Sequence, residues 1–170
     1  LRAELALPRP FFLASARFLA MKNLFRLLEA FARYRAQAGA AAWDLVLLGD
    51  GELHSALLRH RTALALEGSV HFPGYKQYDD LPAWYGLASA FVLPSTSETW
   101  GLVVNEAMAA GLPVLVSRRC GCAADLVTEG VNGFTFDPLD IDGLAALMQR
   151  LAHGDADGTA LGEASAWQQA

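Results

Sequence analysis

Residues 90–117 read AFVLPSTSETWGLVVNEAMAAGLPVLVS, which is an apolar run, a polar loop, a helical segment and a second apolar run. The two apolar runs, residues 90–93 and 113–117, contain no alternating polar positions. Parallel strands that are buried on both faces have this composition, because helices cover them from both sides. The segment therefore predicts a strand–helix–strand unit of a parallel sheet.

The same alternation extends in both directions from this unit. Further strands are predicted at residues 11–16, 44–48, 69–72 and 133–136, and helices at residues 22–37, 53–64, 80–88, 101–110 and 144–151. Alternating strands and helices predict an α/β fold with a doubly wound, Rossmann-like parallel sheet of about six strands. We interpret residues 1–10 as a linker with two prolines, residues 11–153 as one domain, and residues 154–170 as a tail with a helix at 161–169.

Composition excludes several classes of protein. The chain has 170 residues, of which 54% are hydrophobic and 18% charged, so we expect one folded domain rather than a disordered chain. Its net charge of −5 argues against a general nucleic-acid partner. The longest apolar stretch, residues 107–116, is far shorter than the ~20 residues of a membrane-spanning helix.

The chain has neither a signal peptide nor an initial Met, which suggests a piece of a longer protein. With only two cysteines, Cys120 and Cys122, we expect a cytoplasmic location.

Cationic side chains follow the predicted strands at the edge where ligands bind to parallel sheets. The five cations in these loops are Arg17, Lys22, Lys76, Arg118 and Arg119. Ligands of such folds lie in the crevice outside the carboxyl ends of the strands, and helix N-termini there favour anions. We therefore predict a bound polyanion, most simply a diphosphate, near Gly101 at a helix start. The alternative is that these cations are ordinary solvated surface.

Two acidic residues belong to the same region. Glu106 lies within the otherwise apolar helix at residues 101–110, where a carboxylate is costly unless it meets a polar partner. Two ribose hydroxyls would suit it, because an ionised carboxylate accepts several hydrogen bonds. The alternative is a solvated Glu106 on an exposed helical turn. Glu98, which precedes the same helix, adds a second carboxylate at this edge of the sheet.

Residues 94–114 resemble the signature of the group 1 (family 4) retaining glycosyltransferases, in which two glutamates are separated by seven residues, here Glu98 and Glu106. Companion motifs occur in the family's order and extend the resemblance to about residues 11–150. They are an Arg-x4-Lys segment at 17–22, a Gly-Asp-Gly turn at 49–51, a V-x-F-x-G strand at 70–74 and a last block at 120–134. The resemblance implies the nucleotide-sugar-binding, carboxy-terminal half of the GT-B fold.

The resemblance also implies a role for each matching residue. Arg17 and Lys22 would contact the donor diphosphate, and Glu98 would hold hydroxyls of the transferred sugar; these three are the candidate catalytic residues. Glu106 would hold the ribose. The remaining donor-binding candidates are Gly51 in the Gly-Asp-Gly turn, Tyr75 and Lys76 beside the nucleobase, and the backbone amides of Gly101, Leu102 and Val103. The family's usual glycines are replaced at Ala16 and Cys122, which leaves the choice of donor open.

The function implied is transfer of a hexose-type sugar from a UDP-, GDP- or ADP-sugar, with retained configuration and without cofactor or metal. An amino-terminal acceptor domain would be the missing partner, so the chain alone should bind donor without transferring sugar. The whole protein would lie in the cytoplasm, with peripheral contact to the inner face of the membrane left open. A non-catalytic nucleotide or phosphosugar-binding module remains the alternative, since it would need Glu106 but not Glu98. An epimerase of the same fold type is disfavoured because its motifs differ.

Two patterns that could suggest a metal are interpreted otherwise. Asp140 and Asp142 open a predicted helix, where acidic residues cap amides and favour the helix dipole. Cys120 and Cys122 have no nearby histidine in the sequence and make an incomplete ligand shell. We therefore predict no metal site.

Overall fold

The protein is built around a sheet of six parallel strands. A computed structural model describes residues 10–154. The strands are β1 (Phe11–Ser15), β2 (Asp44–Leu48), β3 (Val70–Gly74), β4 (Ala90–Leu93), β5 (Val114–Ser117) and β6 (Gly133–Phe136). The helices are α1 (Leu24–Ala38), α2 (His54–Ala63), α3 (Leu81–Leu87), α4 (Leu102–Ala109), α5 (Ala123–Leu126) and α6 (Ile141–His153). The predicted doubly wound α/β fold is confirmed.

The strand order is β3-β2-β1-β4-β5-β6, and every neighbouring pair is parallel. The chain moves outward from β1 to β3, returns to place β4 against β1, and then moves outward again to β6. In such a sheet the loops after the two central strands diverge to opposite faces and leave a crevice at the carboxyl edge. The crevice of this protein therefore lies above β1 and β4.

Alternate residues of each strand face two separate apolar layers. In β1, Phe12 and Ala14 belong to the layer covered by α1 and α6, while Phe11 and Leu13 belong to the layer covered by α3 and α4. All four side chains are buried. Burial on both faces explains why the strands are largely apolar and lack a regular alternation of polar residues.

The structure corrects several predicted boundaries. β3 continues through Pro73 to Gly74 instead of ending at residue 72. β3 is an edge strand, so a proline without an amide hydrogen is tolerated there. α1 begins at Leu24 rather than at residue 22, because Asn23 adopts a left-handed conformation with φ of 59°. The short helix α5 was not predicted from the sequence.

Two predictions cannot be compared with the structure. Residues 1–9 of the linker predicted at 1–10, and the helix predicted at 161–169, lie outside the described residues 10–154. Within residues 10–154, every helix is too short or too polar to cross a bilayer.

Candidate functional site

A cavity of about 440 Å³ opens at the carboxyl edge, beside the end of β1. The loops after β1, β2 and β3 form its wall together with the first turn of α4. The lining residues that matter most for the argument are Arg17, Gly49, Asp50, Tyr75, Lys76 and Val103. This cavity, called the edge cavity below, is where a parallel sheet with this strand order is expected to bind a ligand.

The edge cavity contains two of the five predicted cations. Arg17 is exposed, and the Lys76 ammonium lies 5.4 Å from the centroid of the Trp84 ring. Arg118 and Arg119 are exposed after β5 and are not among the residues that line the cavity. The expected convergence of all the cations is therefore wrong for these two arginines. β5 is separated from β1 by β4, and two strand spacings are roughly 10 Å.

The fifth cation, Lys22, forms an ion pair with Glu98. Both side chains are largely buried, with 17% and 20% of their surface exposed. The Ser95 hydroxyl donates to the same Glu98 carboxylate at 3.3 Å. The structure thus brings together two residues that are 76 positions apart in sequence and that the resemblance assigns to neighbouring groups of one ligand.

Asn23, which sequence reasoning missed, joins three loops of the site. Its side-chain amide donates to the carbonyl of Pro94 at 2.9 Å and to that of Pro138 at 2.8 Å. The loops after β1, β4 and β6 are thereby tied together, and the preceding residue, Lys22, is held near Glu98. The sequence signal was weak: Asn tolerates the left-handed conformation better than most residues, but the two carbonyls come from distant segments.

The first turn of α4 has the geometry expected of an anion site. Gly101 precedes the helix with φ of 105°, and a Cβ atom there would lie 2.9 Å from Leu93 Cδ2. The first amides of a helix, here those of Leu102 and Val103, have no partner within the helix. Val103 lines the edge cavity, and Leu102 is exposed. Of the three predicted donor-binding positions of this turn, Val103 lies in the wall of the edge cavity, and Gly101 and Leu102 are not among its lining residues.

Gly51 has a structural role behind the cavity. A Cβ atom at Gly51 would lie 2.7 Å from the backbone nitrogen of Phe18, so the turn can approach the loop after β1 only with glycine there. The Gly51 amide donates to Asp50 at 2.8 Å. This bond and a hydrogen bond from His54 hold the pKa of Asp50 below its usual value. Gly51 itself is not among the residues that line the edge cavity.

A second cavity, of about 480 Å³, lies between α3 and α4 and contains Glu106. This helix cavity shares Tyr78 and Leu81 with the edge cavity, so the two are neighbours. The Tyr85 hydroxyl donates to Glu106 Oε2 at 2.9 Å. Glu106 is therefore a half-buried carboxylate with a fixed partner beside a cavity, rather than a freely solvated surface residue.

The residues considered as metal ligands have other roles. Asp140 caps α6 by accepting a hydrogen bond from the Gly143 amide at 2.8 Å, which confirms the capping interpretation. Cys120 and Cys122 are free and buried, and burial raises the pKa of the Cys120 thiol to about 12. Across residues 10–154 no three His, Cys, Asp or Glu side chains are grouped so that they could hold a metal ion.

Fold and site together define a Rossmann-like domain with a crevice at its topological switch point, lined by two cations and one carboxylate among mostly apolar surface. A model of the family described as glycosyl transferases group 1 matches residues 2–166. The chain therefore belongs to this family, and its fold is that of the nucleotide-sugar-binding half of GT-B glycosyltransferases.

Individual relatives agree with this assignment. The lipopolysaccharide core biosynthesis glycosyltransferase LpsE of Rhizobium meliloti is 32% identical over 164 residues, covering 95% of this chain and 46% of LpsE. The sulfoquinovosyl transferase SQD2 of Arabidopsis thaliana is 36% identical over 124 residues, covering 71% of this chain and 23% of SQD2. The crystal structure of Anabaena HepE in complex with UDP-glucose has a TM-score of 0.81 at 28% identity, covering 98% of this chain and 45% of HepE. The chain spans less than half the length of each of these proteins.

Proposed function

We propose that the chain binds the nucleoside diphosphate sugar donor of a retaining glycosyltransferase, which transfers a hexose-type sugar to an acceptor. The observation that carries the proposal is the arrangement at the switch point, where a cationic edge cavity adjoins a helix cavity with one carboxylate. A nucleoside diphosphate sugar has groups that suit both cavities: a diphosphate for the cations and ribose hydroxyls for the carboxylate. The UDP-glucose bound by HepE, whose structure resembles 98% of this chain, supports the same class.

In this proposal the loops after β1 and β4 bind the charged end of the donor. Arg17 and Lys22 contact the diphosphate, together with the amides at the start of α4. The Thr96 amide donates to the Met21 carbonyl at 2.8 Å, which holds the two loops against one another. Hydrogen-bond donors of the protein that are fixed before the reaction stabilise the charge that develops on the leaving diphosphate. The proposal needs no metal or cofactor.

The opposite end of the donor would lie against the loop after β3. Tyr75 is 68% exposed, which leaves its ring free to stack on a planar base. The neighbouring Lys76 is held over Trp84 and can contribute hydrogen bonds to the base. Glu106 would accept hydrogen bonds from the ribose between these two ends.

To catalyse transfer, the whole protein would need a second domain that faces the donor site and holds the acceptor. LpsE and HepE are each more than twice as long as the part that this chain matches, which leaves room for an acceptor-binding domain. Holding an acceptor against the anomeric carbon is worth roughly 7–11 kcal/mol of the barrier. We therefore propose that the chain alone binds donor without transferring sugar. For the whole enzyme we propose a cytoplasmic location, with membrane contact at most peripheral.

Binding of nucleoside diphosphates is the direct test. We expect one of UDP, GDP and ADP to bind the chain with a free energy of about −5 kcal/mol, a high-micromolar dissociation constant. Titration calorimetry should show this affinity equally in magnesium and in EDTA. Arg17→Ala and Glu106→Ala should abolish binding, whereas Arg119→Ala, which removes an exposed cation outside the cavity, should leave it unchanged. Absence of binding for all three nucleotides at millimolar concentration would contradict the proposal.

Glu98 distinguishes a transferase from a non-catalytic nucleotide-binding module. We expect Glu98→Gln to weaken binding of the nucleotide sugar about tenfold, the scale of one hydrogen bond to a charged group. Binding of the free nucleotide should change by less than about threefold, since Lys22 stays available to the diphosphate. Glu129→Gln, which alters an exposed carboxylate bonded to Thr135, is the matched control. If Glu98→Gln bound both ligands as wild type does, the non-catalytic module would be favoured.

A further inference from the structure

The side chain of Tyr85 is buried in the wall of the helix cavity. Tyr85 is only 3% exposed, and its ring packs against Phe91 with 5.8 Å between the ring centroids. The hydroxyl donates to Glu106 Oε2 at 2.9 Å. Tyr85 and Glu106 both line the helix cavity, which shares Tyr78 and Leu81 with the edge cavity. The phenol and the carboxylate therefore form one bonded pair in the wall of the helix cavity.

The hydrogen bond from Tyr85 restricts the orientation of the Glu106 carboxylate. The terminal torsion of a glutamate has a broad energy minimum, so a carboxylate without partners rotates freely. Donation from the rigid Tyr85 ring to Oε2 selects one orientation. An ionised carboxylate has about four acceptor positions, so the others stay available to hydroxyls of a ligand.

Tyr85 is suited to act as a permanent donor. Burial, together with the neighbouring Glu106 carboxylate, raises the pKa of its phenol far above the usual value. The hydroxyl therefore keeps its proton at neutral and moderately alkaline pH. Glu106 has this donor before a ligand binds.

We propose that Tyr85 is a positioning residue that orients Glu106 toward the vicinal hydroxyls of a ribose and thereby sets the preference for ribonucleotide over deoxyribonucleotide donors. The inference rests on the proposed donor-binding function. A carboxylate that is oriented before binding loses less freedom when the ribose arrives, and that saving appears as affinity. The effect should exist only for ligands that carry the hydroxyls.

The test compares Tyr85→Phe with wild type for two ligands, UDP and 2′,3′-dideoxy-UDP, by protein-observed NMR titration; if wild type binds GDP or ADP instead, that nucleotide and its 2′,3′-dideoxy analogue take their place. We expect Tyr85→Phe to weaken binding of UDP about tenfold, the scale of one charge-assisted hydrogen bond. The dideoxy analogue should bind weakly to both proteins at millimolar concentration, with affinities that differ by less than about twofold. Tyr34→Phe is the matched control, because Tyr34 is also a buried tyrosine with a bonded hydroxyl but belongs to the layer under α1. It should bind both ligands as wild type does.

The outcomes separate the inference from the function on which it rests. Wild type that binds neither GDP, ADP nor UDP overturns both. Wild type that binds UDP while Tyr85→Phe binds it equally well overturns the positioning role alone, as does an equal loss for both ligands, which would mean a general packing defect. If Tyr85→Phe does not fold, the Cζ resonance of Tyr85 in wild type decides. It should shift with UDP more than with the dideoxy analogue, and equal shifts would overturn the inference.

Discussion

Replacing Arg17 by alanine is expected to lower the turnover of the intact glycosyltransferase about 10²–10³-fold, which is the scale of losing one donor that stabilises developing charge. Arg17 lies in the loop after β1 and lines the edge cavity. Its guanidinium can donate two parallel hydrogen bonds to a phosphate, which a water molecule does not replace. The measurement is the steady-state kcat with a saturating nucleotide sugar and acceptor.

Two further variants define what this result means. Arg17→Lys keeps the charge but loses the bidentate geometry, so we expect an intermediate turnover. Arg119→Ala removes an exposed arginine after β5, outside the cavity, and should leave turnover within about twofold of wild type. Unchanged turnover in Arg17→Ala would remove this residue from the mechanism.

Gly49→Ala is expected to destabilise the folded chain by about 4 kcal/mol, combining a steric overlap with backbone strain. Gly49 has φ of +129°, and a Cβ atom there would lie 1.9 Å from the Ala16 carbonyl oxygen. The contact is with backbone, so no side-chain rotation can relieve it. β1 and β2 would have to separate at their carboxyl ends, where the edge cavity begins. Urea unfolding followed by circular dichroism measures the loss.

Gly111→Ala is the matched control for this variant. Gly111 also has a positive φ, of +77°, but a Cβ atom there would have no neighbour within 4 Å. We expect the cost of the left-handed conformation alone, about 1 kcal/mol. If the two variants lost equal stability, the close approach of β1 and β2 would not be the reason that glycine is required at position 49.

The boundaries of the elements depended on contacts that the local pattern does not contain. Pro73 ended the predicted third strand because proline normally disrupts a sheet, yet β3 is at the edge and tolerates it. The helix predicted from residue 22 begins later because Asn23 turns left-handed to reach the carbonyls of Pro94 and Pro138. Each correction arises from a strand position or a loop that is distant in sequence.

Individual residues of the candidate site could be predicted from the sequence, but their pairings could not. The spacing of Glu98 and Glu106 and the cations after β1 and β3 can be identified along the chain, because each belongs to a short local motif. The pairing of Lys22 with Glu98 and of Tyr85 with Glu106 joins residues that are 76 and 21 positions apart. The exclusion of Arg118 and Arg119 from the cavity follows from strand order, which is not visible in the spacing of motifs.

The sequence by itself determined the class of fold, the number of strands, and the edge of the sheet at which ligands bind. Apolar runs without alternation require burial on both faces, and parallel strands bring all their following loops to one edge. Only the tertiary structure decided which of those loops meet, which oxygens of the two carboxylates already have partners, and how the edge cavity and the helix cavity adjoin. The physical reason is that hydrophobic burial depends on the pattern of residue types, whereas a hydrogen bond depends on the placement of two particular atoms to within a few tenths of an ångström.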